Sequence, residues 1–195
     1  TRKVADLYLH DRLTAVPMAV KVPDAELSAR AGVYWSPLSD EVVRAEVKDG
    51  VLRRVGAPAG FVAFGDGVFR MAATTEEWRF TAGTPDGLRI FDFYPTPRIF
   101  TRVTAALPSA SALAQLTGQY RSNEVDMTYA VHMVDGKLTL QWPRQNSVAL
   151  EAIGDDRFVG TLGTVTFTRT ASGAVDGLTI SNRRLRRLRL ERLAR

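Results

Sequence analysis

The chain contains no cysteine, which excludes disulfides and thiolate chemistry and leaves the redox compartment unread. Histidine is nearly as scarce: His10 and His132 fall on an expected helix and an expected strand, without metal-ligand spacing between them. No metal and no cofactor is therefore expected. Uninterrupted apolar runs fall well short of the roughly 18 residues that cross a bilayer, so no membrane span is expected. The opening residues TRKVADLYLHDRL lack the apolar core of a signal peptide. Glycine (15) and proline (9) are too few in 195 residues for a collagenous or low-complexity chain. What remains, 45% hydrophobic and 24% charged, is the mix of a folded globular protein. The first residue is Thr rather than Met, as expected for a piece of a longer protein.

Catalytic constellations are equally thin. A serine acyl-transferase with a Ser-x-x-Lys motif needs serine three residues before lysine. Lys21, Lys48 and Lys137 follow Met18, Ala45 and Val134 at that distance, and Lys3 has no such residue before it. No serine stands in a Gly-x-Ser-x-Gly elbow. Neighbouring acids at Glu76-Glu77, Glu124/Asp126 and Asp155-Asp156 lie beside expected turns, where carboxylates are common for solvation and turn formation. Gly65-Asp66-Gly67 suits a hairpin and opens no helix, so it is not a phosphate loop. This chain is not expected to be an enzyme.

The net charge of +5 is unevenly placed. Seven arginines and one glutamate lie between Arg183 and Arg195, leaving the rest with 19 basic and 20 acidic residues. The tail alternates, with Leu188 and Leu190 between Arg187, Arg189 and Glu191, as a closing strand with leucine inside and arginine outside does. Nucleic acid is accordingly not expected as a partner. Polyanion binding through this arginine-rich strand stays open as a third functional reading.

Self-similarity organises everything else. Leu27, Gly32, Tyr34 and Ser36 match Leu113, Gly118, Tyr120 and Ser122 at a constant offset of 86, as do Asp49-Gly50-x-Leu52 and Asp135-Gly136-x-Leu138. Asp86-Gly87-Leu88 and Ile90 match Asp176-Gly177-Leu178 and Ile180 at an offset of 90. The pattern divides the chain into a linker helix and connector (1–26), a first copy (27–103), a linker (104–112) and a second copy (113–195). Val43, Ala45 and Val47 alternate with charged residues up to Asp49-Gly50, and Tyr129, Val131 and Met133 alternate up to Asp135-Gly136. Asp-Gly tolerates the positive φ angles of a type I′ hairpin turn. Gly50, Gly136, Gly87 and Gly177 are thus expected at structural turns.

Turn spacing gives eight strands per copy, in the first near 32–36, 42–48, 51–55, 60–64, 67–71, 77–82, 87–93 and 98–103. The expected fold class is all-β, two tandem antiparallel eight-stranded barrels with no helix inside either copy. A short helix over 3–13 precedes them, with Val4, Leu7 and Tyr8 at helical spacing. The equal step from Phe100 to Val103 and from Leu190 to Leu193 suggests a β-bulge at each barrel rim. Trp78, Phe80, Tyr129, Trp142 and Phe167 are the candidate barrel-interior residues, either filling a core or lining a small apolar ligand site.

The second copy, LAQLTGQYRSNEVDMTYAVHMVDGKLTL through GLTISNRRLRRLRLERL, resembles the lipocalin-like β domain that follows the catalytic domain in serine hydrolases related to class C β-lactamases and penicillin-binding proteins. Leu113, Gly118-Gln119-Tyr120, Tyr129, Val131, Asp135-Gly136-Lys137-Leu138, Phe158, Phe167 and Gly177-Leu178 carry that resemblance. Residues 27–103 resemble a diverged copy, and residues 4–13 resemble the segment joining the catalytic domain to such a β domain. The resemblance implies a non-catalytic accessory or assembly module from the C-terminal part of a bacterial serine hydrolase, exported or periplasmic. Its partners would be the upstream catalytic domain, or a second copy through self-association. A lipocalin-like binder of a small apolar ligand is the alternative.

Overall fold

Period-2 alternation and Asp-Gly turns produce a nearly all-strand architecture. A computed structural model describes residues 18–72, 74–82, 86–104, 108–144, 146–154 and 156–194; the helix expected over 3–13 lies outside them. The first repeat forms β1 (Gly32–Trp35), β2 (Val42–Lys48), β3 (Val51–Arg54), β4 (Phe61–Ala63), β5 (Val68–Met71), β6 (Glu77–Thr81), β7 (Gly87–Phe91) and β8 (Arg98–Val103). The second forms β9 (Gly118–Ser122), β10 (Met127–Val134), β11 (Lys137–Trp142), β12 (Asn146–Gly154), β13 (Arg157–Gly160), β14 (Gly163–Arg169), β15 (Val175–Ser181) and β16 (Leu188–Arg192). All pairings are antiparallel.

In the second repeat β9 pairs with both β10 and β16, so the ladder returns on itself as a closed barrel. In the first, β1 likewise joins β2 and β8, but β3 and β4 end the sheet and meet only at an Arg53–Gly60 bridge. That barrel is nearly closed. Its seam is tight: a Cβ on Gly60 would lie 2.4 Å from Val51 Cγ1. Each barrel carries its own core, one around Tyr34, Trp78 and Phe100, the other around Tyr120, Phe158 and Leu190.

Asp49 and Gly50 have φ of 55° and 69°, and Asp135 and Gly136 have 48° and 75°. Positive φ at both central residues is the type I′ signature. A Cβ at Gly50 or Gly136 would meet nothing within 4 Å, so a substitution there is opposed by backbone strain alone. Gly50→Val and Gly136→Val should each cost about 1–3 kcal/mol. Lys48→Val and Lys137→Val, on exposed strand positions, should be mild by comparison. Thermal unfolding of the four variants tests this; harmless glycine replacements would contradict the turn assignment.

Three expectations are corrected. Gly87 and Gly177 are strand residues, not turn residues: Gly87 opens β7 and Gly177 lies inside β15. Both positions need room rather than unusual φ, since a Cβ would lie 2.5 Å from Thr81 Oγ1 at Gly87 and 2.5 Å from Leu190 O at Gly177. The bulges expected on β8 and β16 are absent from their described ladders; register shifts occur instead at Ala152/Gly154 and Thr168/Arg169. Finally, each repeat has a helix, α1 (Asp24–Arg30) and α2 (Ala110–Gln115), starting at the same offset of 86. With seven and six residues, neither is long enough to display an apolar stripe.

The repeated helices explain the Gly-x-Tyr pattern. Tyr34 and Tyr120 donate their hydroxyls to Arg30 O and Leu116 O at the ends of α1 and α2. Arg102 on β8 donates to Ala29 O and Ala31 O, and Arg192 on β16 to Gln115 O and Thr117 O. These carbonyls lack intrahelical partners, and charged donors satisfy them strongly. The guanidiniums lie over Gly32 and Gly118, where a Cβ would approach them within 3.1 and 3.3 Å.

Candidate functional site

The five candidate interior residues divide between the barrels. Trp78 and Phe80 project from β6 into the first core, and Tyr129, Trp142 and Phe167 belong to the second. Their neighbours are other side chains of the chain. Trp78 lies 4.4 Å from Phe61 and Phe80 lies 5.5 Å from Phe69, ring centre to ring centre; Phe167 lies 5.8 Å from Tyr120 and 5.6 Å from Phe158. Trp78, Tyr129 and Phe167 are buried, while Phe80 and Trp142 are partly buried. The Phe61–Trp78 pair is tilted and the other three are edge-to-face, and such contacts fill an eight-stranded barrel with its own side chains. Burial pushes the Tyr120 hydroxyl up to about 12, although Arg192 and Arg169 act the other way.

Of the neighbouring acids, Glu76, Glu77, Asp126 and Asp156 are engaged in structure, while Glu124 is exposed. Glu76 accepts from Trp78 Nε1 at 2.8 Å and faces Arg54 at 3.3 Å. Glu77 accepts from Arg70 and Arg79 at 2.6 and 2.5 Å. Burial alone would raise its pKa, but the two arginines outweigh it and hold the carboxyl below its ordinary value. Asp126 pairs with Arg121, and Asp156 with Arg169; Asp155 lies outside the described residues. Among the described residues, no group of three or more acidic or histidine side chains stands ready for a metal ion. No helix among them is long and apolar enough to cross a membrane.

Where the chain builds something specific is between the barrels. The β1–β2 loop turns sharply, with Asp40 N–H donating to Ser36 O and Asp40 at a φ of 57°. This conformation suits Asp better than most residues. It seats Asp40, only 8% exposed, on the end of the second barrel. Thr164 Oγ1 donates to Asp40 O at 2.6 Å, and Ser181 Oγ donates to Asp40 Oδ2 at 3.1 Å. Arg187 Nε donates to the same carboxylate oxygen at 2.9 Å, and its Nη2 to Pro37 O at 3.1 Å. The Arg187 backbone N–H completes the network by donating to Ser181 Oγ. In the second copy the matching Asp126 is exposed, which makes this clasp a specialisation of the first copy.

Two further contacts cross the junction. Arg157 places its guanidinium 3.8 Å from the centre of the Trp35 ring, and Arg44 meets Glu151 at 2.8 Å. Beside the latter pair is a cleft of about 850 Å³, bounded by Val42, Arg44 and Val55 of the first barrel and Ala149, Glu151 and Val159 of the second. The sequence offers no local sign of it. Val42, Arg44, Ala149 and Glu151 in its walls are ordinary outward strand positions, and the Asp40 contacts link residues 124 to 147 positions apart.

Two of the C-terminal arginines take structural roles, while Arg183, Arg184, Arg186 and Arg189 are exposed. Arg187 belongs to the clasp and Arg192 to the α2 cap, while Leu188 and Leu190 of β16 are buried. No protein-family model and no curated protein matches the chain.

Proposed function

We propose that the chain is a non-catalytic accessory module of a larger serine hydrolase, its two barrels acting as one rigid docking body. The observation that carries this reading is the Asp40 clasp. A module that presents surface to a catalytic domain must hold its parts in fixed orientation, and a buried aspartate, bonded through its carboxylate to Ser181 and Arg187 and through its main-chain carbonyl to Thr164 of the other barrel, provides that restraint. The side-chain-filled interiors favour this role over a ligand carried within a barrel. The resemblance of residues 113–195 to lipocalin-like β domains supplies the class of catalytic partner.

Two measurements test the reading. The purified chain should turn over neither a chromogenic β-lactam nor a p-nitrophenyl ester above background; turnover that follows the protein peak through purification overturns it. The reading frame ahead of Thr1 should encode a Ser-x-x-Lys domain, and a frame without one overturns the assignment to a hydrolase.

A further inference from the structure

We infer that the cleft between the barrels is a binding site for a small amphipathic anion, a carboxylate or sulfonate on an apolar body. It does not depend on the accessory role. A volume of about 850 Å³ falls within the range of small-molecule sites, which gather at domain junctions. The lining has two chemical parts. Val42, Val55, Pro108, Leu113, Ala149 and Val159 give an apolar wall from three pieces of chain: the first barrel, the α2 region and the second barrel. Val55 is 48% exposed, so this wall includes apolar surface that the barrels do not bury against each other.

The polar part is unbalanced toward positive charge. Arg44, Arg54 and Lys137 line the cleft against one carboxylate, Glu151. Arg44 spends Nη1 on Glu151, but its Nη2 is buried without a hydrogen-bond partner. A guanidinium nitrogen lacking an acceptor is costly; because Nη2 is enclosed, an incoming anion would supply the acceptor by drawing the guanidinium toward the cleft. Arg54 faces Glu76, yet its side chain stays 39% exposed, and Lys137 is exposed. The cleft therefore suits a ligand with one anionic head and an apolar body. A cationic amphiphile would meet a lining with a surplus of positive charge, in which Lys137 is exposed and Arg54 partly so.

The probe is decanoate, with decyltrimethylammonium as its cationic counterpart, each titrated into the whole chain by calorimetry below its micelle concentration. One decanoate should bind per chain, at least tenfold more tightly than the cation. Arg54→Ala combined with Lys137→Ala should weaken decanoate at least tenfold while lowering the melting temperature only slightly, because Lys137 is exposed, the Arg54–Glu76 pair is partly exposed and Glu76 keeps its bond from Trp78 Nε1. Ala149→Trp, which fills the cleft from an exposed strand position, should abolish binding. Equal affinity for the cation, no decanoate binding, or unchanged affinity in either variant would overturn the proposal. The charge variant tests it even if the tryptophan variant does not fold.

Discussion

Replacing Trp78 with alanine should unfold the first barrel and leave the second standing. Trp78 is fully buried, with Phe61 and Phe80 packed against its ring. Truncating such a side chain removes about 3–5 kcal/mol. A barrel of this size has on the order of 5 kcal/mol to lose, so the variant should be largely unfolded there. The second barrel has its own core, to which Trp78 contributes nothing. The remaining tryptophans report on each part: Trp35 lies on β1 and Trp142 on β11. Denaturant unfolding followed by fluorescence should show an early transition from Trp35 and a later one from Trp142. Trp78→Phe, which retains an aromatic ring, should lose distinctly less. A single transition with an unchanged midpoint would mean that the first barrel does not rest on this residue.

The ease with which the strands are read from the sequence has a physical basis. In β2, buried Val43 and Ala45 alternate with less buried neighbours up to the Asp49–Gly50 turn, and each feature is local. The short helices could not be read that way. Leu27 is the one buried residue of α1, too little to make a stripe, and the matching starts of α1 and α2 are visible only through the repeat. Arg102 and Arg192 lie within the paired C-terminal segments that suggested a bulge. Their actual role, capping the helix preceding each barrel's first strand, depends on β8 and β16 meeting β1 and β9. Gly87 and Gly177 show the converse. The same Asp-Gly pair that turns the chain at Asp135 runs on in a strand at Asp176, because crowding by Leu190 O favours glycine there. The cleft and the clasp are further still from local pattern. They arise only when two independently folded surfaces meet.

Asp40→Ala should have the second large effect, and its consequence should be loss of the fixed barrel orientation rather than loss of either core. Alanine at a φ of 57° carries a backbone cost of roughly 1–2 kcal/mol. The lost carboxylate leaves the buried Ser181 hydroxyl without its acceptor and Arg187 Nε without its ion pair, adding about 1–2 kcal/mol. Arg187 is itself 62% exposed, so its charge pairing is screened and contributes the smaller share. The total should be about 2–4 kcal/mol, taken mainly from the junction. Asp40→Asn keeps a residue that tolerates positive φ and retains an acceptor for Ser181, so it should cost about 1 kcal/mol. Arg187→Ala should cost less than about 1 kcal/mol, as exposed pairs do. Small-angle scattering is the decisive measurement: Asp40→Ala should widen the distance distribution while far-UV circular dichroism stays unchanged. If the distribution does not widen, orientation is held by Arg44–Glu151 and the Arg157–Trp35 stack instead.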